Sequence, residues 1–143
     1  MNLKRFAPGL ILAVVLGPAV FAAEDVTGKW SGTLVSTVDD GQVKNDTAYL
    51  VLKQTAMTVT GTAGQTENSA ERMNIANGKV ETLKKEGKDV TTVTFTLKDQ
   101  HDTDAPAVTF VLSLMDGHLK GKALAEFEGH TVTFVLDVTR VKK

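Results

Sequence analysis

The chain has 143 residues, a formal net charge of −1 and no cysteine. This composition excludes a disulfide framework, and no basic stripe is present that would indicate a nucleic-acid partner. The length is sufficient for one domain with its own core.

The N-terminal segment has the three parts of a secretory signal peptide. Lys4 and Arg5 supply a positive start, residues 6–21 are uncharged and almost wholly apolar, and small residues follow. This run is too short for a spanning helix, which needs about 20 apolar residues. The sequence therefore predicts a signal peptide at 1–22, a folded domain at 23–143, and no membrane span after cleavage. An exported chain without cysteine is typical of a bacterial periplasmic or secreted protein.

After residue 23 the pattern is that of strands, because threonine, valine and glycine dominate and apolar residues alternate with polar ones. An open sheet of this size would expose two edges, and closure into a barrel removes them. We therefore expect an all-β fold, an eight-stranded antiparallel up-and-down barrel. The predicted strands cover roughly residues 27–36, 46–54, 57–63, 71–80, 89–98, 106–115, 118–127 and 130–141.

Two dipeptides predict the pairing of the last three strands. Asp116-Gly117 and Glu128-Gly129 are each suited to a two-residue hairpin turn. The register that follows places apolar or small residues on one face of all three strands, apart from a terminal arginine. A one-residue slip would invert these faces, so their agreement supports the register.

Three other segments are expected outside the regular ladder. Asn77-Gly78 is interpreted as a bulge within the fourth strand. The charged residues between 84 and 89 are expected to form a solvated loop. The segment 101–104, with sequence His-Asp-Thr-Asp, could offer metal ligands, but a solvated acidic loop is the simpler interpretation because no second histidine lies near it in sequence.

The first and last predicted strands carry a distinctive pair. Gly28-Lys29-Trp30 opens the first strand and Arg140 lies near the end of the last. In a closed barrel these strands are neighbours, so the guanidinium can stack on the indole. Gly28, Trp30 and Arg140 resemble the signature of the calycin superfamily, which includes lipocalins, fatty-acid-binding proteins and avidins. The resemblance implies a small ligand-binding barrel. Trp30 and Arg140 could form a structural plug or contact a ligand directly.

The seventh predicted strand has small residues on its inward face. Gly121 and Ala123 are expected beside Phe110 and Phe134 of the neighbouring strands. Either the rings fill the core over these small residues, or the small residues floor an apolar cavity. No charged residue other than Arg140 is expected to face inward, so a ligand there would be hydrophobic. The candidate ligand-binding residues are Trp30, Phe95, Phe110, Gly121, Ala123, Phe134 and Arg140.

The sequence contains no recognisable catalytic set. The histidines are scattered, and neither a cysteine nucleophile nor a glycine-rich phosphate loop is present. We therefore predict a non-enzymatic exported binding protein that needs no cofactor and holds a small hydrophobic molecule. The alternative is a protein-interaction barrel with a filled core, such as an envelope-associated factor or a protease-inhibitor-like protein.

Overall fold

The computed structural model describes residues 24–70, 72–99 and 104–142. The predicted signal peptide and residues 101–103 of the His-Asp-Thr-Asp segment lie outside these ranges. The described residues form eight strands, and they contain no helix that could cross a bilayer. The strands are β1 (Gly28–Val38), β2 (Val43–Thr55), β3 (Thr58–Gly64), β4 (Met73–Lys85), β5 (Lys88–Leu97), β6 (Val108–Met115), β7 (His118–Phe127) and β8 (His130–Arg140).

The eight strands form one closed antiparallel barrel, which confirms the predicted fold class. Each strand pairs with the next along the chain, and β8 closes the sheet against β1. Trp30 lies opposite Arg140 in that closing pair. The register of β6, β7 and β8 is the predicted one, since Leu112 lies opposite Gly121, which in turn lies opposite Leu136.

Three hairpins use the same turn geometry. In each, both central residues have positive φ, at 53° and 81° for Asp116-Gly117 and at 49° and 83° for Glu128-Gly129. This geometry matches the twist of the flanking strands, and glycine adopts it at little cost. The turn between β4 and β5 is a third case, with φ of 53° and 78° for its glutamate and glycine at positions 86 and 87.

That third hairpin corrects one expectation. The charged segment 84–89 is not a solvated loop, because β4 continues to Lys85 and β5 begins at Lys88. The side chains remain hydrated while the backbone pairs. Lys84 Nζ lies 3.4 Å from Asp89 Oδ1 across the hairpin.

The predicted bulge in β4 is confirmed. Ala76 lies opposite Thr96 and Lys79 opposite Thr94, so β4 has one more residue than β5 over this stretch. Asn77 takes the left-handed conformation, with φ of 53°, at the point where the register changes. The bulge interrupts the regular pairing of β4 with both neighbours, and pairing resumes in a shifted register on its other side.

The barrel interior holds one apolar core, which includes Val26 and Trp30 at one end of the barrel. We call the end at Trp30 the sealed end, and the end where β1 finishes at Val38 the far end. Residues of every strand contribute to this core. Its buried members are Val26, Trp30, Ala48, Leu50, Leu52, Val59, Ala63, Val80, Val93, Phe95, Phe110, Leu112, Leu119, Ala123, Leu136 and Val138.

At the far end, Asp39 joins the β1–β2 turn to the start of β8. Its carboxylate accepts a hydrogen bond from the Thr131 backbone N–H at 2.9 Å and lies 2.9 Å from His130 Nδ1. The Thr131 N–H is the main cause that lowers the pKa of Asp39. The hydrogen bond to Asp39 is the main cause that raises the pKa of His130.

These shifts predict a pH-dependent contribution to stability from His130. Because its folded pKa is raised, the contribution is complete below the unfolded value of about 6.5 and is lost as the pH rises through the folded pKa. At acid pH this contribution is lost only when Asp39 becomes protonated. Its lowered pKa keeps Asp39 ionised in the folded protein below about pH 3.9, the pKa of an aspartate in the unfolded chain. His130→Gln should therefore lower Tm more at about pH 5.5 than at about pH 8.5. Thermal unfolding of both proteins at the two pH values checks this, and an equal deficit would contradict it.

Candidate functional site

The segment before β1 closes the sealed end. Val26 and Trp30 are fully buried there. Trp30 Nε1 donates a hydrogen bond to the Val26 carbonyl at 3.0 Å, and the Val26 N–H donates to Gln54 Oε1 at 2.9 Å. The Glu24 N–H donates to the Thr91 hydroxyl at 3.2 Å. Since these polar groups have partners, the segment can cross the barrel end without the cost of an unpaired donor.

Arg140 fixes this plug from β8. Its guanidinium carbon lies 4.5 Å from the centroid of the Trp30 ring, which is a cation–π contact. Nη1 donates to the Thr27 carbonyl at 2.8 Å and Nη2 to the Asp25 carbonyl at 2.5 Å. Gly28 permits this approach, because a Cβ there would lie 3.2 Å from Nη1 and its φ is +141°. Trp30 and Arg140 thus fill the sealed end together.

A cavity of about 230 Å³ lies in the other half of the barrel. Most of its lining is apolar, and the polar residues in the lining carry no formal charge. Gln65 and Ser69 come from the β3–β4 loop, so the cavity reaches the far end beside that loop. The lining residues are Leu34, Thr47, Ala48, Leu50, Ala63, Gly64, Gln65, Ser69, Met73, Phe95, Leu97, Phe110 and Leu136.

Two of the seven candidate ligand-binding residues line this cavity. The rings of Phe95 and Phe110 stack there, with centroids 5.5 Å apart and planes 27° apart. Phe134 packs behind Phe110 at 6.2 Å between centroids and does not reach the lining. Trp30 and Arg140 lie at the sealed end.

The two small residues of β7 also lie away from the cavity lining. Gly121 marks a close approach of β6 and β7, because a Cβ on it would lie 1.8 Å from the Val111 carbonyl oxygen. Ala123 is buried in the core opposite Phe134. Their position agrees with the filled-core interpretation for this side of the barrel.

Sequence reasoning missed the part of the cavity that β2, β3 and their loops supply. Strand alternation puts Leu34 on the same face as Trp30, and Leu50 lies opposite Trp30. Strand alternation could not place Gln65 and Ser69 at the cavity, because they lie in an irregular loop.

The expectation that Arg140 is the one charged residue facing inward is wrong. Asp46 lies directly opposite Leu34, and cross-strand partners share a face. The predicted strand had Asp46 as its first residue, whereas β2 begins three residues earlier, so Asp46 lies within the ladder. This carboxylate is therefore on the inner face.

The β3–β4 loop at the cavity edge is held by a polar cluster on the outer surface. Glu67 Oε2 accepts hydrogen bonds from Lys29 Nζ at 2.6 Å and from the Tyr49 hydroxyl at 3.2 Å. The bond from Lys29 is the main cause that lowers the pKa of Glu67. Arg72 lies over the Tyr49 ring and donates to the Glu67 carbonyl at 2.5 Å. These contacts position Gln65 and Ser69 beside the cavity.

Neither a search of protein-family models nor a search of curated proteins finds a match to this chain. The fold therefore defines its class: an all-β, closed, eight-stranded antiparallel barrel, which is compatible with a calycin-like fold. Within the described residues, no group of three or more histidine, cysteine or acidic side chains is placed to hold a metal ion.

Proposed function

We propose that this protein is an exported, non-enzymatic binding protein that holds a small hydrophobic molecule inside its barrel. The observation that carries the proposal is the apolar cavity of about 230 Å³ at the far end, together with the filled, hydrogen-bonded sealed end. Small-molecule sites are typically concave and apolar with a few polar groups, and this lining has that character. An occupant would enter from the far end.

The cavity volume limits the ligand. An engineered apolar cavity of about 150 Å³ accommodates benzene, so one of about 230 Å³ suits a molecule of about nine non-hydrogen atoms. A long-chain lipid would not fit without rearrangement of the core. The proposed ligand is therefore a short alkyl or single-ring compound.

The remaining parts of the proposal concern the location of the protein and its superfamily. Residues 1–22 have the pattern of a cleaved signal peptide, which supports a periplasmic or secreted location. The arrangement of Gly28, Trp30 and Arg140 around one barrel end supports a place in the calycin superfamily.

The binding proposal predicts a specific effect of filling the cavity. Ala48 is buried and lines it, so Ala48→Leu should occupy part of the free volume and weaken 1-octanol binding at least about tenfold. Stability should stay within about 1 kcal/mol of the wild type or rise, because the added carbons enter existing space. NMR titration of protein purified after expression of the full chain measures the affinity, and urea unfolding measures stability.

The matched control is Ala123→Leu. Ala123 is equally buried but does not line the cavity, so the same enlargement should cost about 1–3 kcal/mol through overpacking. In the wild type, octanol should shift the resonances of Leu34 and Leu136 and leave those of Leu119 and Val138 unchanged. Octanol binding that survives Ala48→Leu unaltered would place the ligand elsewhere.

One observation favours the alternative of a protein-interaction barrel. Leu124 and Val111 lie on the outer face with 65% and 47% of their surface exposed. A partner bound there should be lost from pull-downs with Leu124→Ser and retained with Ala48→Leu. The reverse pattern would argue for the cavity as the functional site.

A further inference from the structure

Asp46 occupies a position at the cavity mouth. It lies opposite Leu34 on β1, and it precedes Ala48 by two residues on the same face of β2. Both of those neighbours line the cavity. Residues two apart on a strand are separated by about 7 Å. The carboxylate is therefore one step beyond the apolar lining, on the side toward the far end.

The surroundings of Asp46 leave its charge weakly compensated. Its side chain is 22% exposed, and Lys44 Nζ lies 3.8 Å from Oδ2. Lys44 shares the inner face of β2 with Asp46, one step further toward the far end, but its side chain is 75% exposed, so this ion pair is solvated and weak. A ligand cation at the mouth could approach the same carboxylate.

The far end is acidic as a whole. The turns there contribute Asp39 and Asp40 between β1 and β2, and Glu128 between β7 and β8. Glu67 and Arg72 also lie near this end but belong to the outer-surface cluster with Lys29 and Tyr49. The other charged or titratable residues described at the strand ends and loops of the far end are Lys44, Asp46, Lys98, Asp99, Asp104, Glu126 and His130.

We propose that the cavity selects cationic amphiphiles, specifically alkyl amines with a chain of about eight carbons. The chain occupies the apolar cavity and the ammonium lies against Asp46 at the mouth. A carboxylate on the same chain would meet Asp46 and the acidic far end instead, and would be repelled. This proposal rests on the proposed function, because it assigns a ligand class to the same cavity.

The test compares three probes that share an eight-carbon chain: octylamine, 1-octanol and octanoate. NMR titrations near neutral pH and low salt should give affinities in that order, with octylamine at least about tenfold tighter than octanoate. The preference should shrink as salt is added, since the contact is partly exposed. Octanoate binding as tightly as octylamine would overturn the charge preference while leaving the binding function in place.

Two variants distinguish the effect of the Asp46 carboxylate from the effect of the overall charge of the protein. Asp46→Asn should lower octylamine affinity roughly fivefold and leave octanol affinity unchanged. The matched control is Asp89→Asn at the sealed end, which removes the same charge and should leave both affinities unchanged. If Asp46→Asn and Asp89→Asn have equal effects, the proposal is overturned. If none of the three probes binds the wild type, the proposed function itself fails and the charge preference fails with it.

Discussion

Replacing Trp30 with alanine should lower the free energy of unfolding by about 3–5 kcal/mol, the usual cost of truncating a buried large aromatic side chain. The indole is fully buried. The substitution would also leave the Val26 carbonyl without its donor and remove the ring beneath Arg140. Since small domains are stable by about 5–15 kcal/mol, the variant should retain little margin. Urea unfolding followed by circular dichroism measures the difference.

Trp30→Phe is the informative companion variant. It keeps an aromatic face for Arg140 but loses the Nε1 donor, so it should cost less than the alanine variant, about 1–3 kcal/mol. Trp30 lies outside the cavity lining, so octanol affinity should be unchanged in this variant. A large loss of affinity with little loss of stability would assign Trp30 a direct ligand role and contradict the plug.

The sequence predicted the architecture where local turn chemistry and strand patterning agreed. Asp116-Gly117 and Glu128-Gly129 both place glycine where φ is positive, and both are flanked by strands with a clear inner face. The turn residues and the apolar faces indicated the same register, so no other pairing of these strands satisfied both constraints. The closing contact between Trp30 and Arg140 followed because a closed up-and-down barrel makes the first and last strands neighbours.

Prediction failed where strands continue beyond the core. The end of β4 and the start of β5 carry charged residues on both faces, so they lack the alternation that signals a half-buried strand. The backbone ladder and the Glu86-Gly87 turn extend the hairpin regardless. The start of β2 was also missed, because residues 43–45 show no alternation with an apolar inner face. Asp46 was the first residue of the predicted strand, but its face was not assigned although it is in phase with Leu50.

The position of the cavity could not be predicted from periodicity. Alternation assigns residues to the inner face but does not say where opposing side chains fail to meet. The small residues Gly121 and Ala123 left two interpretations open, a cavity floor or a filled core, and at this place the strands approach closely and the rings pack. The cavity lies beside Ala48 and Ala63, on the side that ends in the β3–β4 loop. That outcome depends on contacts between strands distant in sequence.

Gly121→Ala provides the second large expected effect. An added Cβ would lie 1.8 Å from the Val111 carbonyl oxygen and 2.8 Å from Leu112 Cα, and both are backbone atoms that cannot rotate away. β6 and β7 must separate to admit the methyl group, at a cost of about 3 kcal/mol. The sign of the change in the free energy of unfolding is informative. At unstrained positions a Gly-to-Ala change usually stabilises a protein by about 0.4–1 kcal/mol, because it lowers the conformational entropy of the unfolded chain.

Lys122→Ala is the neighbouring control, since its side chain is exposed and points outward. It should change stability by no more than about 0.5 kcal/mol, so a large deficit in Gly121→Ala alone would locate the cause in the β6–β7 contact. A stabilised Gly121→Ala protein would mean that space exists above Gly121. The cavity would then extend across β7, and the original assignment of Gly121 to a ligand floor would regain support. Urea unfolding of the three proteins, followed by octanol titration of those that fold, distinguishes these arrangements, because only an extended cavity makes octanol affinity depend on residue 121.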